Sequence, residues 1–287
     1  MQGEPIDLVH GGAPRTIGVY LLETESGPAL FDCGPSSCLD ALHAGLAERG
    51  LELRDVRHLL LSHIHLDHAG AAGSLVREHP ELQVWVSEVG APHLVDPSRL
   101  ERSARRLYGE AFDGLWGELV PVPEANVRPC VSETQGASAR AAGLEVFPAP
   151  GHASHHVCYL GADGTLYAGD AAGVRIQPSP TVLPPTPPPD VDVEAWYRTL
   201  EEIERRAPER LALIHFGVAD DVGRHLAELR ERLDAWSRRV AEGADEAAFV
   251  AAARADLPAE DAAAYDRAMP FWQSYAGLQR YWEQRAR

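Results

Sequence analysis

The segment that most constrains this chain is a run of histidines and aspartates directly after an apolar stretch. In LLLSHIHLDHAG, four of the six residues from 63 to 68 are His or Asp. Because a strand that runs into a tight turn points alternate side chains the same way, His63 and His65 converge on one place. Asp67 and His68 follow where the chain turns into a helix, and they face a neighbouring place. Imidazole nitrogen and carboxylate oxygen both bind zinc, so the run predicts a metal site.

Three further candidate ligands stand at the ends of predicted strands. His152 closes GLEVFPAPGH, Asp170 closes TLYAGD, and His215 lies at the end of LALIHF. Gly151 gives the turn before His152 its conformational freedom. Ligands at strand ends are typical of a rigid scaffold with a site at its rim. The sequence therefore predicts one site built from segments that lie far apart along the chain.

Short strands and helices alternate over most of the chain. Alternating apolar residues and turn signals predict strands at 16–23, 28–32, 56–62, 83–87, 143–148, 156–160, 165–168 and, as the final strand, 211–216. Apolar spacing and capping residues predict helices at 40–49, 71–79, 97–108, from the N-cap Asp192 to Pro208, along the apolar stripe of 222–240, at 245–256 and at 259–285. Seven prolines make 177–189 a stiff extended connection.

The changes in pattern predict two units. Residues 1–219 form a catalytic domain, in which 88–125 is a helical insertion near the pocket, and residues 220–287 form a C-terminal helical subdomain. The last helix carries an aromatic stripe, for which packing against the main domain is one interpretation and a homodimer contact is the alternative. Substrate-binding residues stay unassigned, although the candidate edges of the pocket are Arg99, Arg102, Tyr108, Arg175 and 177–189.

Composition excludes several classes of function. The net charge of −17 opposes binding to nucleic acid and to anionic membranes. The chain contains no lysine, which excludes Schiff-base chemistry and a lysine-containing phosphate loop. The first residues lack a signal-peptide pattern, and no apolar stretch reaches the roughly 20 residues of a membrane span. We therefore expect a cytoplasmic protein whose four cysteines are free thiols.

The spacing of the candidate ligands resembles that of the metallo-β-lactamase superfamily. The similarity covers residues 16–216 and rests on His63-x-His65-x-Asp67-His68, Pro150-Gly151-His152, Gly169-Asp170 and His215. The resemblance implies an α+β protein with an αββα sandwich, in which two mixed β-sheets pack face to face with helices outside. Here a C-terminal helical extension follows the sandwich.

The resemblance also implies metal ligands in three roles: a first site, a second site and a bridge. In that order they are His63, His65 and His152; Asp67, His68 and His215; and Asp170. Asp32 matches a buried aspartate that braces the ligand loop, and His156 supports the site with a hydrogen bond. The implied cofactors are two divalent metal ions, Zn²⁺ first, with Fe or Mn as alternatives.

Departures from the β-lactamases proper indicate a position within the superfamily. Those enzymes usually carry Cys or Ser where Asp170 stands and often lack His68, so this chain resembles the glyoxalase II and lactonase side. The resemblance implies a small-molecule substrate whose ester, thioester or lactone carbonyl is attacked by a metal-bridging hydroxide. Asp67 would be the catalytic residue that accepts or passes its proton. The alternatives are a persulfide dioxygenase with one iron and a phosphodiesterase on the same fold.

Overall fold

Two β-sheets form the centre of the computed structural model, which describes residues 3–130 and 139–286. In the first sheet, β1, β2 and β3 pair antiparallel whereas β3 to β6 are parallel, so the sheet is mixed. Its strands, in spatial order, are β1 (Ile6–Asp7), β2 (Gly18–Thr24), β3 (Gly27–Phe31), β4 (His58–Leu60), β5 (Gln83–Ser87) and β6 (Val127–Cys130). Leu59, Leu60, Val84 and Val86 are all buried, as expected for parallel strands covered on both faces.

The second sheet comes from the following part of the chain and is also mixed. Only β10 and β11 pair in parallel among its described neighbours. Its strands, in spatial order, are β12 (Gly217–Ala219), β11 (Arg210–Leu213), β10 (Thr165–Tyr167), β9 (Val157–Leu160), β8 (Leu144–Pro148) and β7 (Ala139–Ala141). Leu211 pairs with Leu166 across the parallel contact.

The helices lie outside the sheets and at the C-terminal end. They are α1 (Leu39–Glu48), α2 (Leu66–Ala69), α3 (Ala72–Glu78), α4 (Ala91–Val95), α5 (Ser98–Tyr108), α6 (Phe112–Trp116), α7 (Val193–Arg206), α8 (Val222–Ala241), α9 (Glu246–Ala255), α10 (Ala262–Ala268) and α11 (Phe271–Arg285). Asp192 caps α7 as predicted, because its carboxylate accepts the backbone N–H of Ala195 at 2.9 Å. Within the described residues, no helix is both long and apolar enough to cross a membrane.

Alternating side chains of the second sheet separate two hydrophobic cores. Val146 and Tyr159 face the core between the sheets, whereas Phe147 and Cys158 face a core that also contains Trp196 of α7. This alternation follows from the two-residue period of a strand. The layers are therefore helix, sheet, sheet and helix, and the predicted αββα sandwich with C-terminal helices is confirmed.

Two element predictions are wrong. The strand predicted at 211–216 ends at Leu213 and is not the final strand, because Gly217–Ala219 turns back antiparallel beside it. The single helix predicted at 259–285 is two helices, broken at Pro270, since proline lacks the N–H that a continuous helix needs. Four short strands were not predicted; they are β1, β6, β7 and β12.

The C-terminal helices share a core with the second sheet. Leu229 and Trp236 of α8 and Leu278 of α11 belong to the same buried cluster as Phe147 and Leu166. The division at 219/220 stays a prediction, but the two sides of that division have a continuous hydrophobic contact. The helices therefore stabilise the outer face of the sheet as well as one another.

Helix α11 approaches the proline-rich segment through a glycine. A Cβ atom at Gly277 would lie 2.0 Å from the carbonyl oxygen of Thr186. The Thr186 hydroxyl also donates a hydrogen bond to the carbonyl of Ser274 at 3.0 Å. The close backbone contact therefore requires the absence of a side chain at position 277.

We predict that Gly277→Ala lowers the free energy of unfolding by about 1–3 kcal/mol, because the added methyl group overpacks this contact. The matched control is Gly223→Ala in α8, where an added Cβ meets nothing within 4 Å. Alanine there is expected to raise the free energy of unfolding by up to about 1 kcal/mol. Urea unfolding of the three proteins checks both signs, and equal stability of Gly277→Ala and the parent would contradict the prediction.

Candidate metal centre

All seven predicted ligands lie at one edge of the sandwich, where strands of both sheets end. His63 and His65 occupy the connection from β4 to α2, and Asp67 and His68 belong to α2 itself. The second sheet contributes three side chains, which follow β8, β10 and β11 and are His152, Asp170 and His215. The two sheets must therefore pack in register for the set to assemble.

Three histidine nitrogens meet on one side of the site, and we call His63, His65 and His152 the first group. Nδ1 of His65 lies 2.9 Å from Nε2 of His63 and 2.9 Å from Nε2 of His152. Bonds of 2.0–2.1 Å to a tetrahedral metal place ligand nitrogens about 3.4 Å apart. The three nitrogens are close enough to bind a single ion after a small expansion.

Asp67, His68 and His215 form a second group beside the first. Oδ2 of Asp67 lies 3.4 Å from Nε2 of His215 and 3.8 Å from Nε2 of His68. One of these separations equals the ligand–ligand distance of a tetrahedral site, about 3.4 Å, and the other is slightly longer. The second group thus offers two nitrogens and one oxygen to one position.

Asp170 lies between the two groups and presents a different oxygen to each. Its Oδ2 atom lies 3.4 Å from Nε2 of His152 in the first group. Its Oδ1 atom lies 3.5 Å from Nε2 of His68 and 3.7 Å from Nε2 of His215 in the second. A carboxylate in this arrangement can bind two cations at once, one through each oxygen.

Each ligand histidine has one ring nitrogen that points into the site and one that points away from it. The partner of the outward nitrogen determines whether the inward nitrogen has a lone pair for a metal ion. Nδ1 of His152 bonds to the carbonyl oxygen of Pro185 at 2.8 Å, and Nδ1 of His215 bonds to that of Thr16 at 2.5 Å. A carbonyl oxygen only accepts, so both Nδ1 atoms carry the proton. In the neutral rings the two Nε2 atoms then have lone pairs, which is the form that binds a metal.

Asp32 and Ser62 orient two more ligands in the same way. Oδ2 of Asp32 accepts hydrogen bonds from Nδ1 of His68 at 2.7 Å and from the Ser62 hydroxyl at 2.8 Å. Oδ1 accepts the backbone N–H of Ser62 at 2.7 Å. Because the Ser62 hydroxyl donates its only proton to Asp32, the hydroxyl oxygen accepts a hydrogen bond from Nδ1 of His63 at 2.9 Å. His63 and His68 therefore also direct Nε2 into the site.

Two histidines that are not in either group pack behind the first. Nε2 of His156 accepts the backbone N–H of Asp170 at 3.2 Å, which holds the turn carrying that carboxylate. The ring of His156 stacks on His63 with centroids 4.8 Å apart. His155, which has no assigned role from the sequence, is buried and stacks on the same ring at 5.9 Å.

The pKa shifts divide the site into neutral and charged parts. Burial lowers the pKa of every histidine in the first group, to about 3 for His65. Burial disfavours ionised Asp67 and Asp170, but the neighbouring histidines, His68 foremost, outweigh it and lower the pKa of both carboxyls. Burial disfavours charged His215 as well, yet Asp170 and Asp67 raise its pKa. The carboxylates therefore favour a positive charge inside a buried site.

The unpaired atoms of the site fit a cation. Nε2 of His68 and Oδ1 of Asp170 are buried, and within the described residues neither has a hydrogen-bond partner. A buried acceptor without a partner costs about 1–3 kcal/mol, and a metal ion removes that cost. Imidazole and carboxylate donors suit Zn, Fe and Mn. The residues present therefore fit a pair of divalent metal ions.

A cavity of about 410 Å³ opens onto the site. His65, Asp67, His152 and Asp170 line its inner end. Its other walls come from α5 and α6, from 185–189 and from the C-terminal helices, and include Leu100, Ala104, Arg106, Leu107, Tyr108, Leu115, Trp116, Pro185, Pro187, Arg267, Met269, Gln273 and Ser274. A cavity of this size suits a small molecule.

The candidate pocket edges have mixed outcomes. Tyr108 and part of the 177–189 segment line the cavity. Arg99 and Arg102 do not, and Arg175 instead pairs with Asp221. The wall formed by α10 and α11 was not anticipated, because no local sequence signal reports that a helix far downstream along the chain folds back over α5.

Comparisons with known proteins agree with this geometry. A family model for the metallo-beta-lactamase superfamily matches residues 13–215. An archaeal metallo-beta-lactamase superfamily protein from Sulfolobus tokodaii superposes with a TM-score of 0.65 at 20% identity, over 97% of this chain and 96% of that one. A metallo-beta-lactamase family protein from Thermus thermophilus superposes with a TM-score of 0.65 at 24% identity, over 94% and 89%. TTHA1623, solved in a di-iron-bound form, has a TM-score of 0.56 at 25% identity, over 74% and 93%.

Curated relatives match over shorter spans. The uncharacterized protein YobT of Bacillus subtilis is 27% identical over 161 residues, which are 55% of this chain and 63% of that protein. The lactamase-like protein adaB of Aspergillus niger is 29% identical over 175 residues, which are 58% of this chain and 44% of that protein. The chain thus spans less than two thirds of the length of these relatives. On the family match over most of its length and the sandwich fold, this chain belongs to the metallo-beta-lactamase superfamily.

Proposed function

We propose that the protein is a binuclear metallohydrolase that cleaves an ester, thioester or lactone of a small molecule. The observation that carries this proposal is the position of Asp170, whose two oxygens face two separate ligand groups. Asp170 in place of Cys or Ser supports the glyoxalase II-like side of the superfamily. The cavity volume of about 410 Å³ supports a small-molecule substrate.

In this proposal the metal ions and Asp67 have different roles in hydrolysis. When bound, two divalent cations would lower the pKa of a water molecule and polarise the substrate carbonyl. The Asp67 side chain is 22% exposed and lines the cavity, whereas the other ligand with a carboxylate, Asp170, is buried. Since its pKa lies below the ordinary range, Asp67 is ionised at neutral pH and is placed to accept a proton from the attacking water.

The Ser62 hydroxyl and the Cys33 and Cys158 thiols are poor candidates for a nucleophile. Ser62 is buried and its hydroxyl is engaged by Asp32. The described structure contains four free cysteines, all buried. Burial raises the pKa of the Cys33 and Cys158 thiols, so both stay protonated at neutral pH. This supports attack by water rather than by a side chain.

Two alternatives on the same fold differ in metal content or substrate. A persulfide dioxygenase would hold one iron, whereas the complete second group of Asp67, His68 and His215 supports two ions. A phosphodiesterase would share both ions but act on phosphorus.

Zinc is the first choice of metal, and the di-iron form of the related TTHA1623 is the reason to test iron beside it.

We predict that the purified protein binds about two zinc ions per chain, as a two-metal site requires. His152→Ala and His215→Ala each remove a ligand from one group, so each variant should retain about one ion. The control is His43→Ala on α1, a histidine outside both groups that pairs with Glu78 at the surface. Mass-spectrometric metal analysis after dialysis gives the ratio, and a wild type saturated by one ion would contradict the binuclear site.

We predict that the zinc-, iron- or manganese-loaded protein hydrolyses at least one ester, thioester or lactone. Asp67→Asn should lower kcat by about 10²–10⁴-fold, because it removes the proton acceptor together with a metal ligand. Steady-state rates on a panel that includes a phosphodiester and a persulfide with dissolved oxygen provide the measurement. Oxygen uptake on the persulfide would contradict the proposal and support a persulfide dioxygenase. Activity on the phosphodiester alone would contradict it and support a phosphodiesterase.

We predict that Asp32→Asn weakens zinc binding at the second group by about 10–100-fold, since a residue that orients a ligand histidine has effects of that size. The amide has a single acceptor oxygen, so it cannot accept from Nδ1 of His68 and the Ser62 hydroxyl at one position and from the Ser62 backbone N–H at the other. Asp40→Asn, an exposed change on α1, is the control. Competition with a chromogenic chelator gives the affinities, and an Asp32→Asn protein with wild-type affinity would refute the orienting role.

A further inference from the structure

Tyr108 is the last residue of α5 and lines the cavity that reaches the metal centre. Its ring packs edge-on against Trp116, with centroids 5.1 Å apart. The same cavity is lined by Asp67 of the second group and by His65 and His152 of the first. The phenol therefore belongs to the space in which a substrate would meet the ligand groups.

The Tyr108 hydroxyl has its proton free for a ligand. Nε2 of Gln273 in α11 donates a hydrogen bond to the hydroxyl oxygen at 3.1 Å. A phenol carries one donor beside its acceptor positions, and within the described residues no acceptor bonds to that donor. Gln273 is itself buried, so it fixes the oxygen in place.

The protonation state of Tyr108 suits a donor. Burial, with a smaller contribution from the Asp67 carboxylate, raises the pKa of Tyr108 to about 12. The hydroxyl is therefore protonated at neutral pH, and it can donate a hydrogen bond without losing its proton.

The wall around Tyr108 is mostly apolar. Leu100 and Leu107 of α5, Leu115 and Trp116 of α6 and Met269 after α10 line the same cavity. Such a lining favours a hydrocarbon or aromatic group, which is stabilised by about 25 cal/mol for each Å² that it buries. Small-molecule sites of this kind combine apolar walls with a few polar groups that fix orientation.

We propose that the cavity binds substrates with an apolar acyl or aryl group and that Tyr108 donates a hydrogen bond to the oxygen of the carbonyl under attack. This inference rests on the proposed hydrolase function. In the transition state the carbonyl oxygen gains negative charge, which strengthens a hydrogen bond from a positioned donor. Gln273 is a positioning residue, because it acts only through the Tyr108 oxygen.

Phosphonates test the inference without turnover, because their charged oxygens and tetrahedral shape resemble the transition state of carbonyl hydrolysis. Zinc-loaded wild type should bind phenylphosphonate at least about tenfold more tightly than methylphosphonate, since only the former buries an aromatic ring in the cavity. Tyr108→Phe keeps the ring and removes the donor, so we expect about tenfold weaker binding of phenylphosphonate. Calorimetry measures both affinities, and metal analysis should show unchanged zinc in the variant.

The matched control is Tyr197→Phe, which removes a hydroxyl from a half-buried tyrosine of α7 outside the cavity wall. It should bind phenylphosphonate as the wild type does. Gln273→Leu provides a second variant, because loss of the positioning contact should weaken binding by about threefold, less than loss of the hydroxyl. With an ester substrate, Tyr108→Phe should lower kcat by about 10–100-fold and change KM much less.

Three outcomes would overturn the inference: failure of the zinc-loaded wild type to bind phenylphosphonate, equal binding of the two phosphonates, or equal affinity of Tyr108→Phe and wild type for phenylphosphonate. Failure of the proposed function is a separate result. If none of the esters, thioesters or lactones reacts but the phosphonate differences are found, the hydrolase proposal fails and the binding role of Tyr108 is supported.

Discussion

The site depends on one constraint: four imidazoles and one carboxylate are buried at the edge of the sandwich, and one more of each is partly buried beside them. Buried polar groups destabilise a protein unless they have partners. The outward nitrogens of His152 and His215 donate hydrogen bonds to backbone carbonyls, and that of His68 donates to Asp32. Among the described residues, Nε2 of His68 and Oδ1 of Asp170 still have no hydrogen-bond partner. The fold thereby maintains a place where a positive charge is needed.

The sequence was most informative where the chemistry is local. Four of the ligands occupy six consecutive residues, so their convergence follows from strand and turn geometry alone. His152, Asp170 and His215 were predictable because each follows an apolar strand with a turn. The helix after Asp192 was predictable from its cap and spacing, and the αββα sandwich from the motif that these residues share with a known superfamily.

The rest depends on contacts that no local pattern encodes. The backbone carbonyls of Thr16 and Pro185 orient the rings of two ligand histidines. Every residue has such a carbonyl, so the sequence does not indicate which ones have this role. The inward atom of His65 is Nδ1, whereas that of His63 is Nε2, and this choice depends on packing. Short edge strands and the return of α11 over the cavity reflect tertiary contacts that outweigh local propensity.

Each ligand group draws side chains from both sheets, which has a consequence for the mechanics of the sandwich. An ion in the first group would join the loop after β4 to the loop after β8, and an ion in the second would join α2 to the segment after β11. Each ion would crosslink the two sheets. Metal affinity and cohesion of the two layers are then thermodynamically linked, so a substitution deep between the sheets can loosen the ions without touching a ligand.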